Sequence, residues 1–204
     1  MATNNAGNVK NTGIQSLTSA GAINGRTITG TASQVSVANG DGTGGNPTLS
    51  FQTRIQLSTQ PCFFARVSGT PLDVTGDGTA YTVIYDAEVF DQGSNYNPAT
   101  GIFTAPVTGR YYFQCVISVQ GILVTHTQSN ITISNIGVKD YIMHGGAIFT
   151  IMAGDGINSL QADVIIDLTT NDTVSTILTV SNGTKVVDVY GQNQSSWFSG
   201  ALLF

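Results

Sequence analysis

The chain has 204 residues, a formal net charge of −5 and 9% charged residues, whereas 41% of its residues are hydrophobic. An average soluble domain has about 25% charged residues, so solubility here depends on Asn, Ser, Thr, Gln and 24 glycines. The Lys and Arg residues form no basic stripe, and no apolar run reaches the about 20 residues of a membrane-spanning helix, which argues against nucleic-acid binding and membrane insertion.

Residues 1–57 are almost all small and polar, and they begin without the apolar core of a secretory signal peptide. One copy of this segment cannot bury enough apolar surface to fold alone, because its apolar residues are isolated. Examples are Ile23, Ile28, Val35, Val37, Leu49 and Phe51. The runs TITG, QVSV and TLSF are predicted to be short strands. We expect them to intertwine with the strands of other copies of the chain.

After residue 57, apolar and polar residues alternate along several runs, which is the pattern of half-buried β-strands. The clearest runs span residues 81–89, 111–119, 162–168 and 174–180. Turn sequences such as DQGSN, TGDGT, TTND and SNGT separate them. Many short strands at this spacing, with no helical periodicity, predict an all-β sandwich or jelly roll.

The stretch YNPATGIFTAPVTGRYYF, residues 96–113, carries the most specific motifs of the chain. It combines an aromatic-Asn-Pro turn, Thr-Gly-x-Phe-Thr, Pro-Val-x-Gly and Tyr-Tyr-Phe in that order. Together with CFFARVSG, LTTNDTV and the closing SSWFSGALLF, it resembles the globular head domain of complement C1q, a relative of the tumour necrosis factor fold. The resemblance covers residues 61–204 and implies a ten-strand jelly-roll sandwich that forms homotrimers. Asn171 stands where the family has Gly, and Asn tolerates the left-handed conformation of such a turn.

Within these motifs, Gly101 and Gly109 are predicted to permit two corners, and Pro106 to end the strand between them. Tyr111 then continues the buried face of the next strand, and Tyr112 lies on its opposite face. The family packs such faces around a threefold axis. The resemblance therefore implies a trimer interface of Tyr112, Gln114, Val116, Trp197, Ser199 and Ala201. On the last strand, Phe198, Leu202 and Phe204 are expected in the core.

Residues 28–51, ITGTASQVSVANGDGTGGNPTLSF, are similar to a repeat of phage tail-fibre and bacterial surface-fibre proteins. This resemblance implies that residues 1–57 form a trimerising stalk and residues 58–204 a head. It places the protein outside the cell, on a fibre of a virion or of a bacterial surface.

No residue pattern supports catalysis. His126 and His144 are the only histidines, and no nucleophile motif accompanies them. Asp163 and Asp167 are interpreted as polar decoration of one strand. Asp73 and Asp77 could bind calcium, but their spacing lacks the calcium-loop pattern, so a solvated turn is the favoured interpretation and no cofactor is expected.

The two cysteines, Cys62 and Cys115, have no metal-binding spacing and are expected to be free thiols. The family's strand layout implies that both lie in one sheet with the C-terminal strand between them. Next-nearest strands are about 9.6 Å apart, which exceeds the reach of a disulfide.

The sequence therefore predicts a non-enzymatic, trimeric binding head for a cell-surface glycan or protein. Its ligand loops are residues 69–80, 91–95, 124–129 and 182–193. The candidate ligand-binding residues in these loops are Asp73, Asp77, His126, Lys185 and Tyr190. Two alternatives remain open: a fibre-associated enzyme that degrades polysaccharide, and a structural cap that ends a fibre without binding a ligand.

Overall fold

The computed structural model describes residues 14–17, 23–31, 35–51, 60–145 and 156–204. The chain divides into two compact units, Met1–Leu57 and Ser58–Phe204, which we call the N-terminal unit and the C-terminal unit. Within the described ranges, no helix is long and apolar enough to cross a membrane.

The described part of the N-terminal unit contains two antiparallel strand pairs. β1 (Ile14–Leu17) pairs with β2 (Ile23–Arg26), and β3 (Val35–Ala38) pairs with β4 (Thr48–Phe51). The strands predicted in QVSV and TLSF are confirmed, the first with a shift of one residue. The strand predicted in TITG is wrong. Residues 27–31 are irregular, and the N–H of Ile28 donates to the carbonyl of Gly40 across 2.9 Å without extending into a ladder.

Twelve strands form the described part of the C-terminal unit, and two of them have only two residues. They are β5 (Cys62–Arg66), β6 (Ala80–Thr82), β7 (Ala87–Gln92), β8 (Tyr96–Asn97), β9 (Ile102–Thr104), β10 (Gly109–Gln120), β11 (Gln128–Asn135), β12 (Lys139–Gly145), β13 (Asn158–Leu168), β14 (Thr173–Ser181), β15 (Asp188–Val189) and β16 (Trp197–Leu202). A short 3-10 turn, Gln192–Gln194, precedes the last strand.

These strands form two antiparallel sheets. Sheet I has the order β13-β10-β16-β5-β7, with β15 attached to β10. Sheet II has the order β12-β11-β14-β9-β8, with β6 attached to β14. The predicted all-β jelly-roll sandwich is therefore confirmed.

The core lies between the sheets and follows the predicted alternation. Tyr111, Phe113, Cys115, Ile117 and Val119 of β10 are each 0% exposed. Stacked and edge-on rings fill the centre, with Phe63 lying 5.2 Å from Phe103 and 5.0 Å from Phe198 between ring centroids. The rings come so close to β16 that a Cβ atom on Gly200 would lie 2.6 Å from Phe113. Gly200 is thus required by packing, which the sequence did not indicate.

The run at residues 81–89 was predicted as one strand, and this is wrong. Its first part is β6 in sheet II and its second part is β7 in sheet I, so residues 83–86 cross between the sheets. The hydroxyl of Tyr96 anchors the crossing, since it accepts from the N–H of Tyr85 at 3.2 Å and donates to the carbonyl of Tyr85 at 3.1 Å. The crossing breaks the alternation, which leaves Val89 55% exposed.

The corner motifs give mixed outcomes. Asn171 has a φ of +75°, so its predicted left-handed turn is confirmed, and Gly101 forms its predicted corner with a φ of +73°. Gly109 has no positive φ and begins β10 instead. A Cβ atom there would lie 2.6 Å from the Leu202 side chain, so close approach explains this glycine. Phe204 was expected in the core but is 76% exposed, because β16 ends at Leu202.

Candidate functional site

Three of the four predicted ligand loops meet at one end of the C-terminal unit. The N–H of Gly183 donates to the carbonyl of Gly76 at 3.0 Å, which joins residues 69–80 to residues 182–193. The side chain of Asn182 donates to the hydroxyl of Thr127 at 2.6 Å, which adds residues 124–129. We call these three loops the loop end.

The fourth predicted loop, residues 91–95, lies at the opposite end of the unit. Cys62 at the start of β5 pairs with Gln92 in β7, whereas Arg66 at the end of β5 leads toward residues 69–80. Residues 91–95 therefore do not join the loop end, although the sequence analysis grouped all four loops as ligand loops.

His126 holds the loop end together from inside. Its ring is 0% exposed. Nδ1 accepts from the N–H of Leu123 at 2.9 Å, and Nε2 lies 2.9 Å from the carbonyl of Thr184, to which it donates in the matching tautomer. Both nitrogens are thus occupied. His126 was predicted as a ligand-binding residue, but its buried ring positions the loops instead.

Asp188 is a second anchor that the sequence analysis missed. One carboxylate oxygen accepts from the N–H of Asp73 at 2.7 Å, and the other accepts from the side chain of Gln120 at 3.0 Å. The carboxylate therefore joins residues 69–80 to the end of β10. A polar residue in a two-residue strand gives no sequence signal for such a contact.

The remaining predicted ligand residues reach the surface of the loop end to different extents. Asp73, Asp77 and Lys185 are exposed, and Tyr190 is half-buried. Hydrogen bonds from the side chain and backbone of Thr79 lower the pKa of Asp77, which is therefore ionised at neutral pH. Across the described part of the chain, no three His, Cys, Asp or Glu side chains converge as metal ligands.

The second candidate surface is the face of sheet I that points away from the core, which we call the outer face. The six predicted interface residues form three facing pairs between β10 and β16: Tyr112 with Ala201, Gln114 with Ser199, and Val116 with Trp197. All six are half-buried.

Three further apolar side chains belong to the outer face and were missed. The ring of Phe64 lies 5.6 Å from Trp197 and 6.2 Å from Phe90 between centroids, and Ile165 pairs with Tyr112. Phe90 is 53% exposed and Ile165 is 57% exposed. The Phe63-Phe64 doublet, with one ring on each face, was the available signal. The outer face thus carries an aromatic cluster that one copy of the chain leaves largely open.

The acidic pair of β13 has a structural role. Asp167 accepts two hydrogen bonds from the Arg110 guanidinium, at 2.7 and 2.9 Å, and both side chains are exposed. Asp163 stands opposite Gln114. Arg110 and Asp167 line a pocket of about 330 Å³, but its lining contains no second carboxylate side chain, and glycosidase chemistry requires a pair.

The two cysteines are free, and β16 lies between their strands as the family layout implied. Burial raises the pKa of the Cys115 thiol to about 12. Cys62 lies on the outer face and is half-buried. Cys115 is therefore a core residue with an unreactive thiol.

Comparisons with known proteins agree with this architecture. A family model described as C1q domain matches residues 63–203. The globular domain of zebrafish complement 1qA protein aligns with a TM-score of 0.51 at 15% identity, over 71% of this chain and 98% of that chain. Murine APRIL aligns with a TM-score of 0.49 at 11% identity, over 71% and 99% of the two chains. PRD1 vertex protein P5 aligns with a TM-score of 0.46 at 10% identity, over 73% and 99%.

Proposed function

This chain belongs to the C1q domain family, and we propose that its C-terminal unit is the trimeric, non-enzymatic binding head of a fibre. The observation that carries the proposal is the outer face of sheet I. Soluble monomers rarely expose a large contiguous apolar patch, and such patches usually mark interaction sites. Trp197, Phe64 and Phe90 form an aromatic cluster beside Tyr112 and Val116, in which Phe90 is 53% exposed and the other four are half-buried. Packing three copies of this face around one axis would bury it.

The loop end supplies the ligand surface of the proposed head. Its loops are fixed by His126 and Asp188, so little conformational entropy is lost when a ligand binds. Asp73, Asp77 and Lys185 are exposed charges that would contact a cell-surface glycan or protein. A trimer presents three such surfaces in parallel, and this multivalency strengthens weak individual contacts.

The N-terminal unit is proposed to be the end of a stalk. Leu49 is 59% exposed and Phe51 is 76% exposed in one copy. Intertwining with two further copies would cover both side chains. This assembly would carry the head on a fibre of a virion or bacterial surface.

The two alternatives differ from this proposal in their expected activities. A polysaccharide-degrading enzyme needs two carboxyl groups that flank a sugar. Asp167 of β13 is instead paired with Arg110 of the neighbouring β10, and both side chains are exposed. A purely structural cap would bind no cells and no glycans, which the second experiment below tests directly.

The first experiment measures the mass of the full chain in solution. Light scattering should give three times the chain mass of 21.3 kDa. Trp197→Asp and Val116→Asp should each shift the mass toward the monomer while retaining a cooperative melt. Val138→Asp is the matched control, because Val138 is 71% exposed in the turn between β11 and β12. A monomeric wild-type chain would refute the trimer.

The second experiment screens the full chain on a glycan array and on whole cells. Binding should weaken in Lys185→Ala and Asp77→Asn without a change in mass. If the wild type binds neither the glycan array nor whole cells, the structural cap is favoured. Release of sugars from either would favour the enzyme.

A further inference from the structure

A groove of about 350 Å³ opens beside the loop end, and the proposed function does not use it. One wall is the chain that leaves β5, and the other wall contains β6 and the crossing between the sheets. Its lining residues are Val67, Ser68, Gly69, Thr70, Pro71, Tyr81, Ile84 and Asp86. This volume lies at the small end of the range for ligand pockets, which suits a ligand of one ring.

A fixed carboxylate lies at one side of this groove. Asp86 accepts from the N–H of Ser68 at 2.7 Å with one oxygen and from the Ser68 hydroxyl with the other. Burial opposes ionisation, but the bonds from Ser68 outweigh it and lower the pKa of Asp86. The carboxylate is therefore charged and held in one orientation, and each oxygen retains a free lone pair.

An aromatic ring and three aliphatic groups supply the apolar part of the groove. Tyr81 is half-buried against the core. Val67, Pro71 and Ile84 line the same space. Burial and then the charge of Asp86 raise the pKa of Tyr81, so its hydroxyl remains a neutral donor or acceptor at physiological pH.

The charges of the lining select against several ligand classes. Asp86 is the sole charged residue among the lining residues. Arg66 lies outside the lining but close enough to help lower the pKa of Asp86. The lining itself therefore offers no cation to pair with a phosphate or carboxylate ligand. Quaternary and methylated amines are typically bound by cages of several aromatic rings, whereas one ring lines this groove. A neutral ligand with adjacent hydroxyl donors and an apolar C–H face fits the remaining chemistry.

We propose that this groove binds one neutral pyranose, with Asp86 accepting hydrogen bonds from two adjacent hydroxyl groups and the ring of Tyr81 contacting the C–H face of the sugar. This proposal rests on the proposed binding function and deepens it, because it names a terminal neutral sugar as the ligand class. The groove shares residues 69–71 with the loop end, so a longer glycan could extend from one to the other.

The test uses the full chain and three probes: methyl α-D-glucopyranoside, methyl α-D-mannopyranoside and methyl β-D-galactopyranoside. Saturation-transfer NMR should detect at least one of them, and titration should give a dissociation constant in the millimolar range. Asp86→Asn and Tyr81→Ala should each weaken binding about tenfold, as expected for loss of a charge-assisted hydrogen bond or a ring contact. Tyr81→Phe retains the ring and should bind within about threefold of the wild type.

Asp140→Asn, an exposed carboxylate on β12, is the matched control and should leave binding unchanged. Ser68→Ala removes the hydroxyl bond to Asp86 but keeps the carboxylate and its bond from the Ser68 N–H. Glycoside binding by this variant therefore shows whether affinity depends on the carboxylate itself or on the local structure around it. Thermal melts confirm that each variant is folded. Binding of methylammonium with no binding of any glycoside would overturn the proposal. Glycoside binding that survives both Asp86→Asn and Tyr81→Ala would overturn it as well.

The same variants separate this proposal from the proposed function. If the wild type binds cells or arrayed glycans and Asp86→Asn binds them equally, the groove proposal fails while the binding head stands. If glycosides bind the groove but no cell or array binds the chain, the groove stands and the fibre-head function fails.

Discussion

The two units of the chain use similar strands with opposite results. Phe51 in β4 is 76% exposed, whereas Phe113 in β10 is 0% exposed. Both residues lie in antiparallel strands with regular pairing. The difference is the number of layers, since β4 belongs to a two-stranded sheet and β10 to one sheet of a sandwich. Strand pairing satisfies the backbone in both units, but only a second layer removes side chains from water.

This comparison supports the proposal that the N-terminal unit needs partner copies. A two-stranded sheet is at best marginally stable in water. Its glycine-rich turns add to the backbone entropy that is lost on folding. The C-terminal unit has a continuous core between its sheets and needs no such help to fold.

The largest effect is expected when the two units are produced separately. Residues 58–204 should fold and unfold cooperatively with a β-type circular dichroism spectrum. Residues 1–57 should give a spectrum of a disordered chain, because their apolar groups lack a covering layer. If residues 1–57 fold and trimerise unaided, the C-terminal unit is not required for their assembly, and the comparison between the units fails.

A matched pair of phenylalanine truncations should give the next largest effect. Phe113→Ala should lower the unfolding free energy of the C-terminal unit by about 3–5 kcal/mol, because it leaves a cavity among the core rings. Phe51→Ala should leave that transition within about 0.5 kcal/mol of the wild type. Urea denaturation of the full chain, followed by tryptophan fluorescence from Trp197, measures both values. A large effect of Phe51→Ala on this transition would mean that the units are energetically coupled.

The sequence predicted the fold wherever alternation was long and uninterrupted. β10 and β13 present one apolar residue in two to the core, so their buried faces were correctly assigned. Asn171 was correctly placed in a left-handed turn, because few residue types tolerate that conformation. The family motifs supplied the strand order that alternation alone cannot give.

The failures have specific physical causes. At residues 81–89 the sequence alternates between apolar and polar residues without interruption, although the chain crosses there from one sheet to the other. The regular pattern therefore concealed two strands. Phe204 looked like a core residue, but it lies beyond Leu202, the last residue of β16, and its ring lies under the exposed Arg110 guanidinium instead of in the core. His126, Asp188 and the groove at Asp86 depend on contacts between distant loops, which no local pattern reports. For this reason the ligand residues could be assigned to loops but not to one surface.

Thiol chemistry sharpens the comparison within the C-terminal unit. In denaturant, titration should find two free thiols per chain, because β16 separates the strands of Cys62 and Cys115. In the native Cys62→Ser variant, Cys115 should react at least about tenfold more slowly than in denaturant, since it is 0% exposed. The reaction with a chromogenic disulfide measures both. No free thiol in the denatured chain would mean that the two cysteines can bridge, which contradicts the observed strand order.

The smallest expected effect is a loss of stability in alkali that belongs to the core of the C-terminal unit. Burial raises the pKa of Cys115 from 9.0 to about 12, so the folded state keeps a proton that the unfolded state releases between these values. Stability from this group is therefore complete below pH 9 and declines as the pH rises toward 12. From pH 9 to pH 10, the unfolding free energy should fall by on the order of 1 kcal/mol more in the wild type than in Cys115→Ala.

Urea denaturation at pH 8, 9 and 10 measures this difference, and the comparison of slopes cancels the constant cost of the substitution itself. Burial also raises the pKa of Tyr85 and Tyr96, but both variants retain these residues. Equal slopes for wild type and Cys115→Ala would mean that water reaches the β10 core. The comparison between β10 and β4 would then overstate how completely the side chains of β10 are removed from water.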